Sequence, residues 1–235
     1  MVERTVLVGL NDAAFAGTRV VLSQVLAASA AARFSAELAS GGSDGQKLAR
    51  PPHIFALGEG AGAVALEHVE GAALSYGGSE LLLLALNAEV AGDAVLPRAL
   101  ELVARILPPG SAAGTHVVVL AALRFMPQGA HAAKTHVAQL GGAGAGSPVG
   151  WVQRTLDASE ELPAALRALP ALDSSTRLHD RMLATLFQLL VARGARVTLL
   201  AVSSLAAGST EAAADALPVG AALDSRLRSQ LGPSR

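Results

Sequence analysis

The stretch LHDRMLATLFQLLVARGARVTLLAVSS, residues 178–204, decides the fold class. Its first part has a helical period, and one face of the predicted helix carries Leu178, Met182, Thr185, Leu186, Leu189 and Leu190. Ser174 or Ser175 is expected to cap the start of this helix, and Gly194 its end. The following ARVTLLAVS, residues 195–203, is a β-branched and leucine-rich run of strand length. A helix leading through one glycine into a buried strand indicates an α/β protein.

Other apolar runs extend this pattern toward the N-terminus. RTVLVGL, residues 4–10, predicts a first strand, while ELLLLALN, residues 80–87, and HVVVLAAL, residues 116–123, predict two more buried ones. AVALEHVE, residues 63–70, alternates like a further strand. YGGS, residues 76–79, can turn the chain between this strand and the next. Such a hairpin predicts a mixed sheet instead of a purely parallel one.

Helices are predicted between these strands. The first follows Asn11 or Asp12, either of which can cap it, and continues to about Ala32. A second runs from about Asp93 to Leu107. Pro97 falls in its first turn, where a missing N–H costs little. We expect one face of this second helix to carry Leu96, Leu100, Val103 and Leu107. A final helix is expected from about Thr210.

These elements predict a three-layer α/β fold with a mixed central sheet flanked by helices. We find no internal repeat and no composition shift that marks a boundary, so residues 1–235 are expected to form a single α/β domain. Residues of about 128–147, which include GGAGAGSP, are expected to be a flexible loop. Residues of about 226–235 are polar and are expected to be a frayed tail.

Composition excludes several classes of function. The net charge is −1, so no basic excess predicts nucleic acid or an anionic membrane as a partner. Cysteine is absent, which excludes disulfides, thiolate metal sites and cysteine nucleophiles. The apolar run Leu81 to Leu86 is far shorter than the roughly 18 residues of a membrane span. Aromatic residues make up only 3% of the chain, so the core must be aliphatic.

The segment HIFALGEGAGAVALEHVE, residues 53–70, allows an enzymatic interpretation. Gly58, Gly60 and Ala63 fit G-x-G-x-x-A, which resembles a dinucleotide-binding fingerprint. Glu59 opposes this interpretation, because its carboxylate would lie where a pyrophosphate should bind. We therefore interpret Gly58 to Gly62 as a turn or bend between extended segments. The alternative, a small-molecule or nucleotide-binding α/β enzyme that uses this segment, stays open.

The histidines and hydroxyl residues form no recognisable catalytic or metal motif. His131 and His136 are five residues apart in a predicted loop or short helix, without a neighbouring carboxylate. His68 is expected to be a hydrogen-bonded strand histidine. No G-x-S-x-G elbow is present, and Pro148 follows Ser147 where a phosphate-binding loop would need lysine. The sequence thus predicts no catalytic, cofactor-binding or metal-binding residue, and it assigns no partner-binding residue.

The order of elements resembles that of the proteasome assembly chaperone 1 family. The resemblance rests on TVLVGLNDAAFAG (residues 5–17), SELLLLALNAEVAGD (79–93), HVVVLAAL (116–123), SPVGWVQRTL (147–156) and the stretch quoted first. It implies a protein that is not an enzyme and needs no cofactor. It also implies a heterodimer with a second, related chaperone, which binds the α-subunit ring of the proteasome core particle and promotes its correct assembly. The implied location is cytoplasmic, and in some cases nuclear.

The helix within residues 178–194 also has an outer face that is poor in charge, residues 183–191. Large exposed apolar patches mark the surfaces by which proteins bind partners. This face therefore predicts a contact with a partner protein.

Overall fold

The computed structural model describes residues 3–10, 16–27, 33–37, 68–76, 79–87, 92–111, 115–125, 135–140, 169–172, 176, 178–207, 212–213 and 217. The strands in these ranges are β1 (Glu3–Gly9), β2 (Arg33–Glu37), β3 (His68–Tyr76), β4 (Ser79–Asn87), β5 (Thr115–Leu123), β6 (His136–Leu140) and β7 (Arg196–Ser203). The helices are α1 (Ala16–Ala27), α2 (Val95–Ile106), α3 (Arg181–Ala192) and the short α4 (Ser204–Ala207). A 3-10 turn, Gly92–Ala94, precedes α2.

The described strands form one seven-stranded sheet in the order β2-β3-β4-β1-β5-β7-β6. The four central strands, β4, β1, β5 and β7, are parallel to one another. Antiparallel strands flank them, because β3 pairs with β4 and β6 pairs with β7. The β3–β4 hairpin pairs Tyr76 with Ser79, as YGGS predicts. The sheet is therefore mixed, and this sequence-based expectation is confirmed.

Both faces of the central strands are buried, which explains their nearly continuous apolar sequence. On one face, α2 and α3 cover side chains that include Val6, Val8, Leu82, Leu84, Leu86, Val117, Val119, Val197 and Leu199. On the other face, α1 covers side chains that include Leu7, Leu81, Leu83, Val118, Leu120, Leu200 and Val202. The strand residues alternate between these two clusters, as the two-residue period of a strand requires. The three-layer α/β prediction is confirmed.

Helix α2 lies where the sequence predicts it, but it is rotated relative to the predicted face. Its buried residues are Val95, Ala99, Leu102, Val103 and Ile106. Leu96 and Leu100, expected to share a face with Val103, are instead exposed. The prediction followed the leucines alone. The structure uses the small Ala99 as part of the stripe that packs on the sheet, which turns the two leucines toward solvent.

Helix α3 is confirmed, with a different cap at its start. Asp180, not Ser174 or Ser175, is the N-cap: its Oδ1 accepts a hydrogen bond from the backbone N–H of Leu183 at 2.6 Å. Ala171, nine residues before the cap, forms an isolated bridge with Val137 of β6. At the other end, Gly194 has a φ of 78°, the left-handed conformation that commonly ends a helix.

Two edge strands were not predicted. β2 follows α1 closely, and its five residues are too short to show a clear alternation. β6 lies inside the segment of about 128–147 that was expected to be a flexible loop, so the expectation of a loop or short helix at His136 is wrong. The antiparallel pairing of β6 with β7 provides the hydrogen bonds that make this segment a strand.

Several sequence-based predictions fall outside the described residues. These include the caps Asn11 and Asp12, the end of the first helix at Ala32, the Gly58–Gly62 segment, the first part of AVALEHVE, His131, GGAGAGSP and the frayed tail of about 226–235. Of the final helix predicted from about Thr210, only residues 212–213 and 217 are described. The second half of AVALEHVE is the start of β3, as expected.

A close backbone approach joins α1 to the centre of the sheet. A Cβ atom added at Gly17 would overlap the carbonyl oxygen of Leu120 in β5, and one added at Gly9 would overlap the carbonyl oxygen of Gly17. The backbone N–H of Thr18 donates to the carbonyl of Leu10 at 3.2 Å. Glycine is required at both positions because the helix backbone rests directly on the strands.

We expect Gly17→Ala to lower the free energy of unfolding by about 3 kcal/mol or more, since the new methyl group must push apart rigid backbone segments. Urea denaturation followed by circular dichroism measures this. Gly194→Ala is the matched control: it has open space around the added Cβ and only the cost of a positive φ, about 1 kcal/mol. A loss at Gly17 no larger than that of the control would contradict the close approach.

Candidate interaction surface

The carboxyl ends of the parallel strands are where α/β proteins usually bind ligands. Here this edge is formed by the ends of β4, β1, β5 and β7. Thr18, in the first turn of α1, donates its Oγ1 hydrogen to the carbonyl of Leu86 in β4 at 2.8 Å. Together with the contacts of Gly17, this places the start of α1 directly against the ends of β1, β4 and β5.

The remaining part of this edge, between β5 and β7, is held by serine hydroxyls. Ser203 Oγ donates to the carbonyl of Phe125 at 2.6 Å, and Ser204 Oγ donates to that of Leu123 at 3.3 Å. The ring of Phe125 packs edge-on against His136, with 5.1 Å between the ring centroids. These hydroxyls fix the ends of two strands, which is a structural role and gives no indication of a nucleophile.

His116 is a buried side chain with a strongly shifted pKa. It lies near the amino end of β5, far from the edge just described, and is buried. Its Nε2 shares a hydrogen bond of 2.8 Å with Oγ1 of Thr198 in β7. Burial, and secondarily the positive charge of Arg196, lowers the pKa of His116 to about 4. The imidazole is therefore neutral at pH 7 and serves as a buried link between two strands.

The other histidines that the structure describes do not converge on one site. His68 is in β3 and pairs with Asn87 of β4, so its expected place in a strand is confirmed. His179 is exposed next to the N-cap residue of α3. Among the described ranges, no group of three or more His, Cys, Asp or Glu residues is arranged to hold a metal ion. Within the same ranges, no helix is long and apolar enough to cross a membrane.

Helix α2 presents an apolar surface to solvent. Leu96 is 53% exposed and Leu100 is 43% exposed, although both belong to a well-packed helix. Pro97 and Ala104 are exposed as well. Because residues four apart lie one above the other on a helix, Leu96, Leu100 and Ala104 form a continuous stripe. We call Leu96, Pro97, Leu100 and Ala104 the α2 surface.

The charged residues of α2 lie beside this surface and bind each other. Nη2 of Arg105 is 3.0 Å from Oε1 of Glu101, and Nη1 of Arg98 is 3.9 Å from Oε2 of the same residue. One carboxylate thus lies between two guanidinium groups along one flank of the helix. The other flank, where Leu96 and Leu100 lie, carries no charge over the same turns.

The outer face of the neighbouring helix α3 is free of charge over residues 183–191, as the sequence indicates, but most of its large apolar side chains are buried. Within residues 183–191, the structure buries Leu183, Leu186, Phe187 and Leu190. The exposed positions of α3 are Arg181, Gln188 and Ala192. The large exposed apolar side chains of this layer therefore belong to α2, which packs against α3. The sequence does contain an indication that Leu96 and Leu100 are exposed, because both fall outside the helical stripe formed by Val95, Ala99 and Leu102.

Comparison with known proteins identifies the fold. No protein-family model matches the sequence, and no curated protein does. The crystal structure of Pyrococcus furiosus PbaB, an archaeal proteasome activator, aligns with 98% of this chain and 88% of its own, with a TM-score of 0.56 and 13% sequence identity. The chain shares the fold of PbaB.

Two further crystal structures align over most of the chain with lower scores. P. furiosus PbaA, an archaeal homolog of proteasome-assembly chaperone, covers 97% of this chain at 12% identity, with 86% of its own length aligned and a TM-score of 0.48. A Thermoplasma acidophilum protein of unknown function covers 97% at 11% identity, with 82% of its own length aligned and a TM-score of 0.49.

We expect the protein to become less stable as the pH is lowered from 6.5, because of His116. Above pH 6.5 its imidazole is neutral in both the folded and the unfolded chain, so it does not change the free energy of unfolding with pH. As the pH falls from 6.5 to about 4, only the unfolded chain takes up the proton, which favours unfolding. The loss approaches about 3 kcal/mol at pH 4.

Urea denaturation at pH 7 and at pH 4.5 measures this loss, and His116→Gln is the comparison variant because glutamine cannot take up the proton. The variant should lose less stability than the wild type over this interval. An equal loss in both proteins would show that His116 does not cause the pH dependence.

Proposed function

We propose that this protein is a proteasome assembly chaperone. The observation that carries the proposal is the fold shared with PbaB, over 98% of the chain, in a sequence whose elements follow the order of the chaperone family. A cysteine-free, nearly neutral chain with an aliphatic core also suits an interaction protein. In this role the protein works by presenting surfaces and carries out no chemical reaction.

The proposed partners are a second, related chaperone and the α subunits of the proteasome core particle. The protein and its partner chaperone form a heterodimer that binds the α-subunit ring and promotes its correct assembly. This activity belongs in the cytoplasm, and in the nucleus where proteasomes also assemble.

The α2 surface is the part of the described structure that best suits such a contact. Fully burying a leucine side chain stabilises an interface by about 1.5–3 kcal/mol. Leu96 and Leu100 are each roughly half exposed, so each could still bury about half of its surface in a contact. The two side chains are held on a helix that packs firmly on the sheet, so binding requires little ordering of the chain. The proposal assigns this surface to one of the two partners.

Co-expression with proteasome α subunits and a related chaperone of the same organism tests the function. The protein should co-purify with the partner chaperone, and the pair should increase the yield of assembled α rings on native gels. Failure to bind either partner, with the purified protein correctly folded, would contradict the proposal.

We expect the double variant Leu96→Glu/Leu100→Glu to weaken partner binding by about tenfold or more, since two carboxylates would have to be desolvated in an apolar contact. Its free energy of unfolding should change little, because both side chains are largely exposed. Isothermal titration calorimetry measures the binding, and urea denaturation the stability.

Leu205→Glu is the matched control for this experiment. Leu205 is 57% exposed and lies in α4, outside the α2 surface. It therefore receives the same leucine-to-glutamate substitution at a similar exposure, although once and not twice. Equal binding by the double variant, the control and the wild type would show that α2 is not the contact.

A further inference from the structure

The exposed residues of α2 and its charged residues are not the same residues. Its exposed residues are the four of the α2 surface, which are all uncharged, whereas its charged residues Arg98, Glu101 and Arg105 are half-buried. On a helix whose outer side faces only water, the charged residues are the exposed ones. The outer side of α2 therefore has the composition of a contact that a partner buries.

The uncharged surface continues into the turn that follows α2. Pro108, Pro109 and Gly110 are exposed. The backbone N–H of Ser111 donates to the carbonyl of Pro108 at 3.0 Å, and Gly110 has a φ of 83°. Proline followed by glycine at the centre of a turn favours this geometry and restricts the backbone. The turn is therefore rigid, and every exposed residue from position 95 to 110 is uncharged.

The outer side of α3 adds positive charge beside this surface. α2 and α3 pack against each other on the same face of the sheet, so their exposed sides form one layer. The exposed residues of α3 and its C-cap are Arg181, Gln188, Ala192 and Arg193. Within residues 95–106 and 181–193, the exposed residues thus include two arginines and no carboxylate. The layer is apolar on α2 and positive at the two ends of α3.

We propose that the partner chaperone covers the α2 surface, with aliphatic side chains against Leu96 and Leu100 and carboxylates near Arg181 and Arg193. This inference rests on the proposed function, which assigns the surface to one of two partners without choosing between them. It names the partner and the chemistry of the contact.

The lack of charge on the α2 surface favours the chaperone over the α subunits. Interfaces that persist are more apolar than interfaces that form and dissociate, and charged residues are depleted at their centre. A chaperone must leave the particle whose assembly it promotes, so its contact with the α subunits has to dissociate. Its contact with the partner chaperone can persist, and it then keeps Leu96 and Leu100 away from water throughout.

The charges of the layer favour the partner chaperone over a second copy of this chain. If two identical layers met, Arg181 and Arg193 of both copies would enter one contact, and neither layer exposes a carboxylate that could pair with them. Like charges that meet in an interface oppose association. A related chaperone has a different sequence and can supply the missing carboxylates. The surface therefore fits a different chain, aliphatic at the centre of its contact and acidic at the rim.

Protection of a single cysteine tests which chain covers the surface. The protein contains no cysteine, so Leu100→Cys introduces a unique thiol. Its maleimide labelling is measured on the full-length protein alone, with the related chaperone of the same organism, and with proteasome α subunits. The chaperone should slow the labelling by about tenfold or more, because the centre of an interface excludes water. The α subunits alone should leave the rate unchanged.

Ser23→Cys is the matched control. Ser23 is exposed in α1, which covers the opposite face of the sheet. The labelling rate of this variant should stay the same with either partner. Circular dichroism checks that both variants are folded, and Ala104→Cys probes the same surface if Leu100→Cys is not.

Three results would overturn the inference and leave the proposed function standing. They are protection of the Leu100→Cys thiol by the α subunits alone, protection that increases with the concentration of this chain itself, and a chaperone that binds while the thiol reacts as before. A folded wild type that binds neither the chaperone nor the α subunits contradicts the proposed function, and the inference with it.

Charge reversal tests the acidic rim of the partner. Arg181→Glu should lower the association rate constant with the chaperone by about threefold or more at low salt, and by less at high salt. The change leaves α3 stable, since an acidic residue is favourable in the first turn of a helix. Arg124→Glu, at an exposed position directly after β5, is the control outside α2 and α3. Equal rates for the two variants, or faster association of Arg181→Glu, would show that the partner is not acidic there.

Discussion

The contact between the backbone of α1 and the strands β1 and β5 is the constraint on which the rest of this structure depends. Gly9 and Gly17 allow this contact, because a Cβ at either position would overlap a carbonyl group. With α1 resting there, Thr18 reaches the end of β4 and the helix covers one face of the sheet. This one close contact therefore fixes one of the three layers of the fold.

Much of the fold could be predicted from the sequence, because the central strands are buried on both faces and are apolar throughout. The segments around Val6, Leu84, Val119 and Leu199 needed only this property to be assigned. The edge strands were missed for the opposite reason: β2 and β6 are short, and their strand character comes from pairing with β3 and β7, which the local sequence does not encode. The cap at Asp180 was missed because Ser174, Ser175 and Asp180 are all residue types that cap helices, and the sequence does not show at which of them the helix begins.

The candidate surface was harder to predict than the fold. Leucine is the usual residue of a buried helix face, so Leu96 and Leu100 were assigned to the face that includes Val103. Only the position of α2 on the sheet shows that Val95 and Ala99, and not Leu96 and Leu100, face the core. On α3, Leu183 and Leu186 are likewise needed in the core, and the exposed residue within 183–191 is the uncharged Gln188. In an aliphatic protein, sequence alone does not separate leucines that stabilise the fold from those that bind.

The position of β1 has a consequence for how the chain is made. β1 is synthesised before the other described strands, yet it lies in the middle of the sheet between β4 and β5. Its last hydrogen-bonding partner, β5, ends at Leu123, so β1 must wait for more than a hundred further residues. At ordinary rates of translation this takes on the order of ten seconds. During that interval the apolar strand β1 lacks one of its neighbours in the sheet. A nascent chain in this state is prone to aggregation.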